Sequence, residues 1–148
     1  MSICEEPSFE TTLQVRDTCL CLHLQRAARA IARHFDAAFR PLDLTNGQFS
    51  LLMSLNRPEQ ANMQSVANLL AMDRTTLTAA LKPLERRGLV TIAVDSGDRR
   101  SRQLALTPRG REALAAAVPI WVREHTALDA RFGDDGAERL RGDLRTLS

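Results

Sequence analysis

A guanidinium, three hydroxyls and an ammonium follow one another in the stretch Asp73-Arg74-Thr75-Thr76-Leu77-Thr78-Ala79-Ala80-Leu81-Lys82. Read as a helix, Thr75, Thr78 and Lys82 form one stripe, and Leu77, Leu81 and Leu84 form another roughly opposite. The leucines would dock the helix on a core. The polar stripe would be free to lie in a groove, where short hydroxyls hydrogen-bond base edges or touch a thymine methyl and Arg74 pairs with phosphate or guanine. Threonine is a mediocre helix former, so three of them near the leading end point to a requirement other than helicity. Ordinary N-terminal helix chemistry is the competing reading of the threonines taken alone.

A second cationic group, Arg99, Arg100 and Arg102, follows Asp98 in Asp98-Arg99-Arg100-Ser101-Arg102. The whole chain carries a formal charge of only +2. Its distribution is uneven: residues 73–111 hold nine basic side chains against four acidic ones, which makes this window +5 and the remainder −3. Such clustering suits a segment that faces a polyanion. A solvated surface with a chance excess of arginine would carry the same charge.

Other chemistries find less support. The seven glycines form no phosphate loop, and His23, His34 and His125 lack metal-ligand spacing. No Ser, His and acid or Cys and His arrangement is tied to a motif, so neither enzyme activity nor a cofactor is expected. The cysteines Cys4, Cys19 and Cys21 are odd in number and confined to the first 21 residues, which rules out a disulfide scaffold in practice. On one helix Cys19 and Cys21 would point to nearly opposite faces. No apolar run approaches the roughly 18 residues of a membrane span, and the acidic start MSICEEPSFE lacks the pattern of a leader. A cytoplasmic protein without membrane contact is the expectation.

The elements that would position these residues can be read from periodicity. The 148 residues, 44% of them hydrophobic, suit one domain over 1–148. Leu20, Leu24, Ala28, Ile31, Phe35 and Phe39 recur at helical spacing, which predicts one long helix from about Asp17 to Arg40, ended by Pro41. Thr45 and Gln48 fit a capping box for a second helix to about Asn56, and 57–61 reads as a loop. Asn62 can cap a third helix to Leu70 that turns Gln64, Ser65 and Asn68 outward. After the gap Ala71-Met72-Asp73, the length expected of a helix-turn-helix, the fourth helix runs from Arg74 to Arg87 and stops at Gly88. Pro83 should kink it or loosen a turn.

Beyond Gly88 the period becomes alternating. Val90, Ile92 and Val94, a turn at 95–98, then Leu104 and Leu106 predict a β-hairpin with an Arg-rich arm. Thr107 and Pro108 open a long helix, bent at Pro119, and Asp135 with Glu138 starts a last one to Leu147. The fold class is mainly α with a small β-hairpin wing (α+β): a winged helix-turn-helix over 45–110, flanked by helices at 11–42 and 107–148. Those flanking helices carry wide apolar stripes with no other domain to cover them, and Trp121, Leu128, Leu140, Leu144 and Leu147 are candidate dimer contacts.

This combination resembles the MarR family of bacterial regulators. The resemblance rests on D-R-T-T-L-T-A-A-L-K-P-L-E-R-R-G-L-V and on Asp98-Arg99-Arg100 followed by Leu104-Ala105-Leu106-Thr107, which matches the family's D-x-R-x-x-x-L-x-L-T. It implies a homodimer with interleaved terminal helices whose two winged helices face successive major grooves of a pseudo-palindromic operator. It also implies that Arg100 enters the minor groove while Asp98 helps hold the wing. The expected DNA-binding set is Gln64, Ser65, Arg74, Thr75, Thr76, Thr78, Lys82, Asp98, Arg99, Arg100 and Arg102. The expected function is repression of transcription, relieved by a small aromatic or phenolic effector.

Two alternatives accompany this reading. Cys21, in Leu20-Cys21-Leu22-His23-Leu24 with Arg29 eight positions on, is placed similarly to the reactive cysteine of the organic-hydroperoxide branch. The chain has no tyrosine, however, and Gln25 and Phe35 stand where that branch has them. The other alternative is a winged helix turned protein-interaction module, which would have lost its wing cations; this one keeps Arg99, Arg100 and Arg102.

Overall fold

The computed structural model describes residues 6–148, so Cys4 lies outside the described residues. Contacts divide the chain into two compact units with a boundary between His34 and Phe35.

In the N-terminal unit, α1 (Phe9–Thr18) starts on a Ser8 cap whose side chain accepts the Thr11 amide. The second helix, α2 (Leu20–Phe39), begins after a single non-helical residue and continues past the unit boundary. The predicted single helix from Asp17 is therefore interrupted at Cys19, where ψ of 108° leaves the helical range. Apolar periodicity could not reveal this, because Cys19 is neither glycine nor proline. Its sulfur accepts the Leu22 amide at 3.5 Å and takes the place of an N-cap oxygen for α2. With Cys19 extended, the premise that both cysteines share one helix fails.

The larger unit is the winged helix. A 3-10 turn at Arg40–Leu42, with Pro41 inside it, leads to α3 (Asn46–Ser54). The capping box forms as predicted: Gln48 N donates to Thr45 Oγ1 at 3.1 Å and Thr45 N to Gln48 Oε1 at 3.0 Å. Then come β1 (Ala61–Asn62), α4 (Met63–Leu70), α5 (Arg74–Arg86), β2 (Val90–Val94), β3 (Arg102–Leu106), α6 (Pro108–Ala130) and α7 (Gly136–Arg145). The sheet is antiparallel in the order β1-β3-β2. Its register pairs Val90 with Leu106 and Ile92 with Leu104, putting the predicted apolar positions on one face. The two-residue strand β1, within what reads as loop, exists through its pairing with β3.

Leu77, Leu81 and Leu84 are fully buried with Phe39, Leu51, Leu52, Val66, Val90 and Leu104, so the leucine stripe of α5 docks on the core as expected. Helix α5 runs on through Pro83, and the ladder resumes where Arg87 N donates to the Pro83 carbonyl at 3.1 Å. Helix α6 likewise runs unbroken through Pro119. Asp135 does precede α7, yet its side chain makes no cap bond; Glu138 instead holds Arg141 at 3.0 Å and Arg145 at 2.9 Å. Arg141 also reaches Asp129 of α6 at 3.2 Å, fastening α7 to α6. Among the described residues no helix is long and apolar enough to cross a membrane.

Candidate nucleic-acid interface

The turn that presents α5 is short because α4 ends on a left-handed residue. Ala71 has φ 51° and ψ 43°. The Met72 amide then reaches back to Ala67 O at 2.9 Å and the Ala71 amide to Asn68 O at 3.2 Å, closing the last turn of α4. Asp73 follows as the N-cap of α5. Its carboxylate accepts the Thr76 amide and the Thr76 hydroxyl, each at 2.7 Å. The Thr76 amide first and the Thr76 hydroxyl second hold the Asp73 carboxyl below the usual carboxylate range.

At the other end Gly88, at φ 71°, stops the helix as predicted. Leu89 N bonds to Leu84 O at 3.0 Å and Gly88 N to Glu85 O at 2.9 Å. Arg87 reaches back across the fold, donating to the Asp43 carbonyl at 2.7 Å with the Asp43 carboxylate 3.7 Å away. Its charge is thus engaged within the chain.

On the outer face of α5, Arg74, Thr75, Thr78 and Lys82 are exposed. No ion pair among the described residues engages Arg74 or Lys82. The three hydroxyls differ, however. Thr76 Oγ1 is tied to Asp73, and Thr78 Oγ1 donates to the Arg74 carbonyl at 2.7 Å. Thr75 Oγ1 has no partner among the described residues.

The wing tip is held by two aspartates. Asp95 Oδ1 accepts the Gly97 amide and Asp98 Oδ1 the Arg100 amide, each at 2.9 Å. Asp95 N to Ser101 O at 3.1 Å and Ser101 N to Asp98 O at 3.0 Å close the loop. Arg99 and Arg100 extend from this brace into solvent. Arg102 is only half-exposed, and its guanidinium folds back on the carbonyls of Arg99 at 3.1 Å and Ser101 at 3.3 Å. On α4, Gln64 is exposed and bonds Asn68 at 2.7 Å. The Ser65 hydroxyl bonds the Asn62 carbonyl at 2.9 Å, inside the helix's own first turn. Of the predicted set, Arg74, Thr75, Lys82, Arg99 and Arg100 therefore have polar ends without a partner among the described residues. Thr76, Thr78, Ser65, Gln64, Asp98 and Arg102 first serve local structure.

The match to known proteins falls on these elements. The sequence profile of the MarR family matches residues 44–101. The regulator SarZ of Staphylococcus saprophyticus is 29% identical over 93 residues, covering 63% of this chain and 64% of that protein. This chain thus spans just under two thirds of that curated relative's length. The M. tuberculosis transcriptional regulator MosR, solved in complex with DNA, is 36% identical with a TM-score of 0.79, covering 87% of this chain and 92% of MosR. The repressor CouR bound to a 23-mer DNA duplex is 30% identical with a TM-score of 0.79, covering 97% and 99%. A second CouR structure, with bound p-coumaroyl-CoA, is 31% identical with a TM-score of 0.76, covering 86% of this chain and 90% of that one.

The chain belongs to the MarR family. The profile covers α3 to the wing loop, the part that carries Arg74, Lys82, Arg99 and Arg100. Two features of this MarR-family fold were not legible in the sequence, the second bond of Thr107 and the need for glycine at 110. Thr107 does more than cap α6: its hydroxyl accepts the Gly110 amide at 2.9 Å and donates to the Gly88 carbonyl at 2.6 Å, locking α6 to the end of α5. Gly110 lies so close to the Leu89 carbonyl that no Cβ fits. A glycine in the first turn of a helix, where alanine would be favoured, was the available signal.

Between α3, the α4–α5 turn and α5 lies a cleft of about 400 Å³, lined by Leu51, Leu70, Met72, Ala80 and Pro83 with Thr45 and Gln48. Elsewhere in the larger unit, Phe39, Phe49, Trp121 and His125 form a stack with ring centroids 4.8, 6.4 and 4.7 Å apart. Trp121 thus packs within its own chain while remaining 38% exposed.

Proposed function

We propose that this chain is a transcriptional regulator that binds double-stranded DNA sequence-specifically as a homodimer, acting as a repressor. The observation that carries the reading is the placement of four exposed cations on the two elements that a DNA groove would meet. Arg74 and Lys82 sit on the outer face of α5, and Arg99 and Arg100 on a wing tip braced by Asp95 and Asp98. Four cations gathered on one helix face and one braced loop, with Arg102 folded back beside them, suit a surface that meets phosphates. Gln64, Ser65, Thr76, Asp98 and Arg102 then act chiefly by shaping that surface. DNA is also the partner of the MosR and CouR structures at 36% and 30% identity.

The dimer is supported by apolar surface on the C-terminal helices. Val122 on α6, Leu140 and Leu144 on α7 and the following Leu147 are exposed at 49%, 38%, 38% and 58%, apolar side chains that a second copy would cover. Two-fold symmetry then presents two α5 helices and two wings to half-sites about one DNA turn apart. Release follows binding of a small aromatic or phenolic effector, as suits a relative of CouR, which binds p-coumaroyl-CoA. The cleft beside α5 offers apolar walls of suitable size. Hydroxyl-radical footprinting of the full chain on its own upstream DNA tests the reading. Two protected patches one turn apart are expected, and absence of protection at every protein concentration refutes it.

One observation favours a second mode of control. Cys21 is exposed, and Gln25 Nε2 donates to its sulfur at 3.3 Å, while Arg29 lies 3.5 Å from Gln25 Oε1. Gln25 here supplies the donor that a tyrosine would supply in the organic-hydroperoxide branch. Cumene hydroperoxide should then release DNA from the native chain and leave Cys21→Ser bound; equal behaviour of the two proteins removes this mode.

A further inference from the structure

We infer that the threonines of α5 read DNA by two different chemistries: Thr75 donates its hydroxyl proton to a base acceptor, and Thr78 is read through its methyl group. The inference rests on the DNA-binding reading above and deepens it.

A threonine hydroxyl has one proton and two lone pairs. Thr78 places that proton on the Arg74 carbonyl at 2.7 Å, the short back-bond of a hydroxyl to the preceding turn. Thr76 places its own on Asp73 Oδ2 at 2.7 Å, and the Asp73 carboxylate also receives the Thr76 amide at 2.7 Å. Neither hydroxyl retains a proton for another partner. Thr75 is exposed, and no described residue gives or takes a hydrogen bond at its Oγ1. One donor hydroxyl therefore stands at the leading end of α5, where the pattern of three had suggested three.

The major groove divides the possibilities sharply. Guanine offers N7 and O6 as acceptors, adenine N7, and thymine O4 together with its methyl; adenine N6 and cytosine N4 are donors. A hydroxyl without a free proton cannot read guanine or thymine O4. The lone pairs left on Thr78 Oγ1 could accept only from adenine N6 or cytosine N4; the group assigned to the groove is Cγ2, whose apolar partner there is the thymine methyl. Thr75 can donate to any of the acceptors. Thr76, held by the cap, is assigned no base.

The test compares Thr75→Val with Thr75→Ser and Thr78→Val with Thr78→Ser in the full chain. Duplexes are selected from a random pool, and affinity is then measured on the selected duplex with thymine or with deoxyuridine. Within each pair the helix position is the same, so a general loss of fold, checked by thermal unfolding, enters both members. Thr75→Val should bind about three- to tenfold more weakly than Thr75→Ser, the worth of one hydrogen bond, and lose preference at one base pair. Thr78→Ser should bind about fourfold more weakly than Thr78→Val, the worth of one methyl. Removing thymine methyls should weaken the native chain and not further weaken Thr78→Ser. Equal affinities within the Thr75 pair, or Thr78→Val weaker than Thr78→Ser, overturn the assignment. A native chain that selects no duplex overturns the DNA reading itself and this inference with it.

Discussion

Replacing Gly110 by alanine sets two physical effects against each other, and the structure decides which wins. Gly110 lies in the first turn of α6, where alanine would by propensity add about 1 kcal/mol of stability. A methyl there, however, overlaps the Leu89 carbonyl oxygen and comes within 3.0 Å of its carbon and 3.3 Å of Leu106 Cδ2. Two of these three atoms are backbone, so relief requires α6 to move off the sheet. That movement strains or breaks the bond of Thr107 N to Leu89 O at 3.1 Å and that of Thr107 Oγ1 to Gly88 O at 2.6 Å. Overpacking of this kind costs about 1–3 kcal/mol, and two hydrogen bonds add about 1 kcal/mol each. After the propensity gain the net loss is about 2–4 kcal/mol, a fall in melting temperature of roughly 4–16 °C for a chain of this length. Thermal and urea unfolding of Gly110→Ala against the native protein measure it. Because the same joint carries the wing, DNA affinity should fall as well. A melting temperature that rises, as propensity alone would give, refutes the close approach of α6 to Leu89.

Two further outcomes follow from the α4–α5 turn. Ala71→Gly should raise stability by about 1 kcal/mol, because Ala71 holds φ 51° where glycine carries no Cβ penalty; a lower melting temperature would mean that the turn is built otherwise. Asp73 has its carboxyl held down by Thr76, so its contribution is fully present above the usual carboxylate value and is lost as pH falls through the lowered one. Unfolding midpoints of native protein and Asp73→Asn, taken from about pH 6 to about pH 2, should therefore converge on acidification; parallel curves would contradict the cap.

The legible parts of this fold were those specified by near neighbours in sequence. Thr45 with Gln48, Asn62, Asp73, Gly88 and Thr107 mark helix ends through bonds that span three or four residues, and each does so in the structure. The alternation of Val90, Ile92, Leu104 and Leu106 carries its own register, because a slip by one residue would expose all four. Features that depend on distant partners were hidden. Strand β1 is defined by Leu104 and Gln103, some 40 residues away. The demand for glycine at position 110 comes from Leu89. The engagement of Arg87 depends on Asp43.

In the candidate site, residue types placed the threonines and arginines on the right elements, yet composition could not say which polar ends were already satisfied. That depends on rotamers: Arg102 and Thr78 resemble Arg100 and Thr75 in sequence and differ from them in what they touch. The break at Cys19 was invisible for a related reason, since a thiol cap is not among the usual start signals of a helix.

The salt dependence of DNA affinity tests the central claim most directly. For the native chain, log affinity should fall linearly with log salt, with a slope set by the number of phosphates neutralised. Arg100→Ala should weaken binding to specific and unrelated duplexes alike. It should also flatten the slope by about one unit per wing, or about two for a two-fold dimer. An Arg100→Ala protein with native affinity and an unchanged slope would contradict a DNA-facing wing.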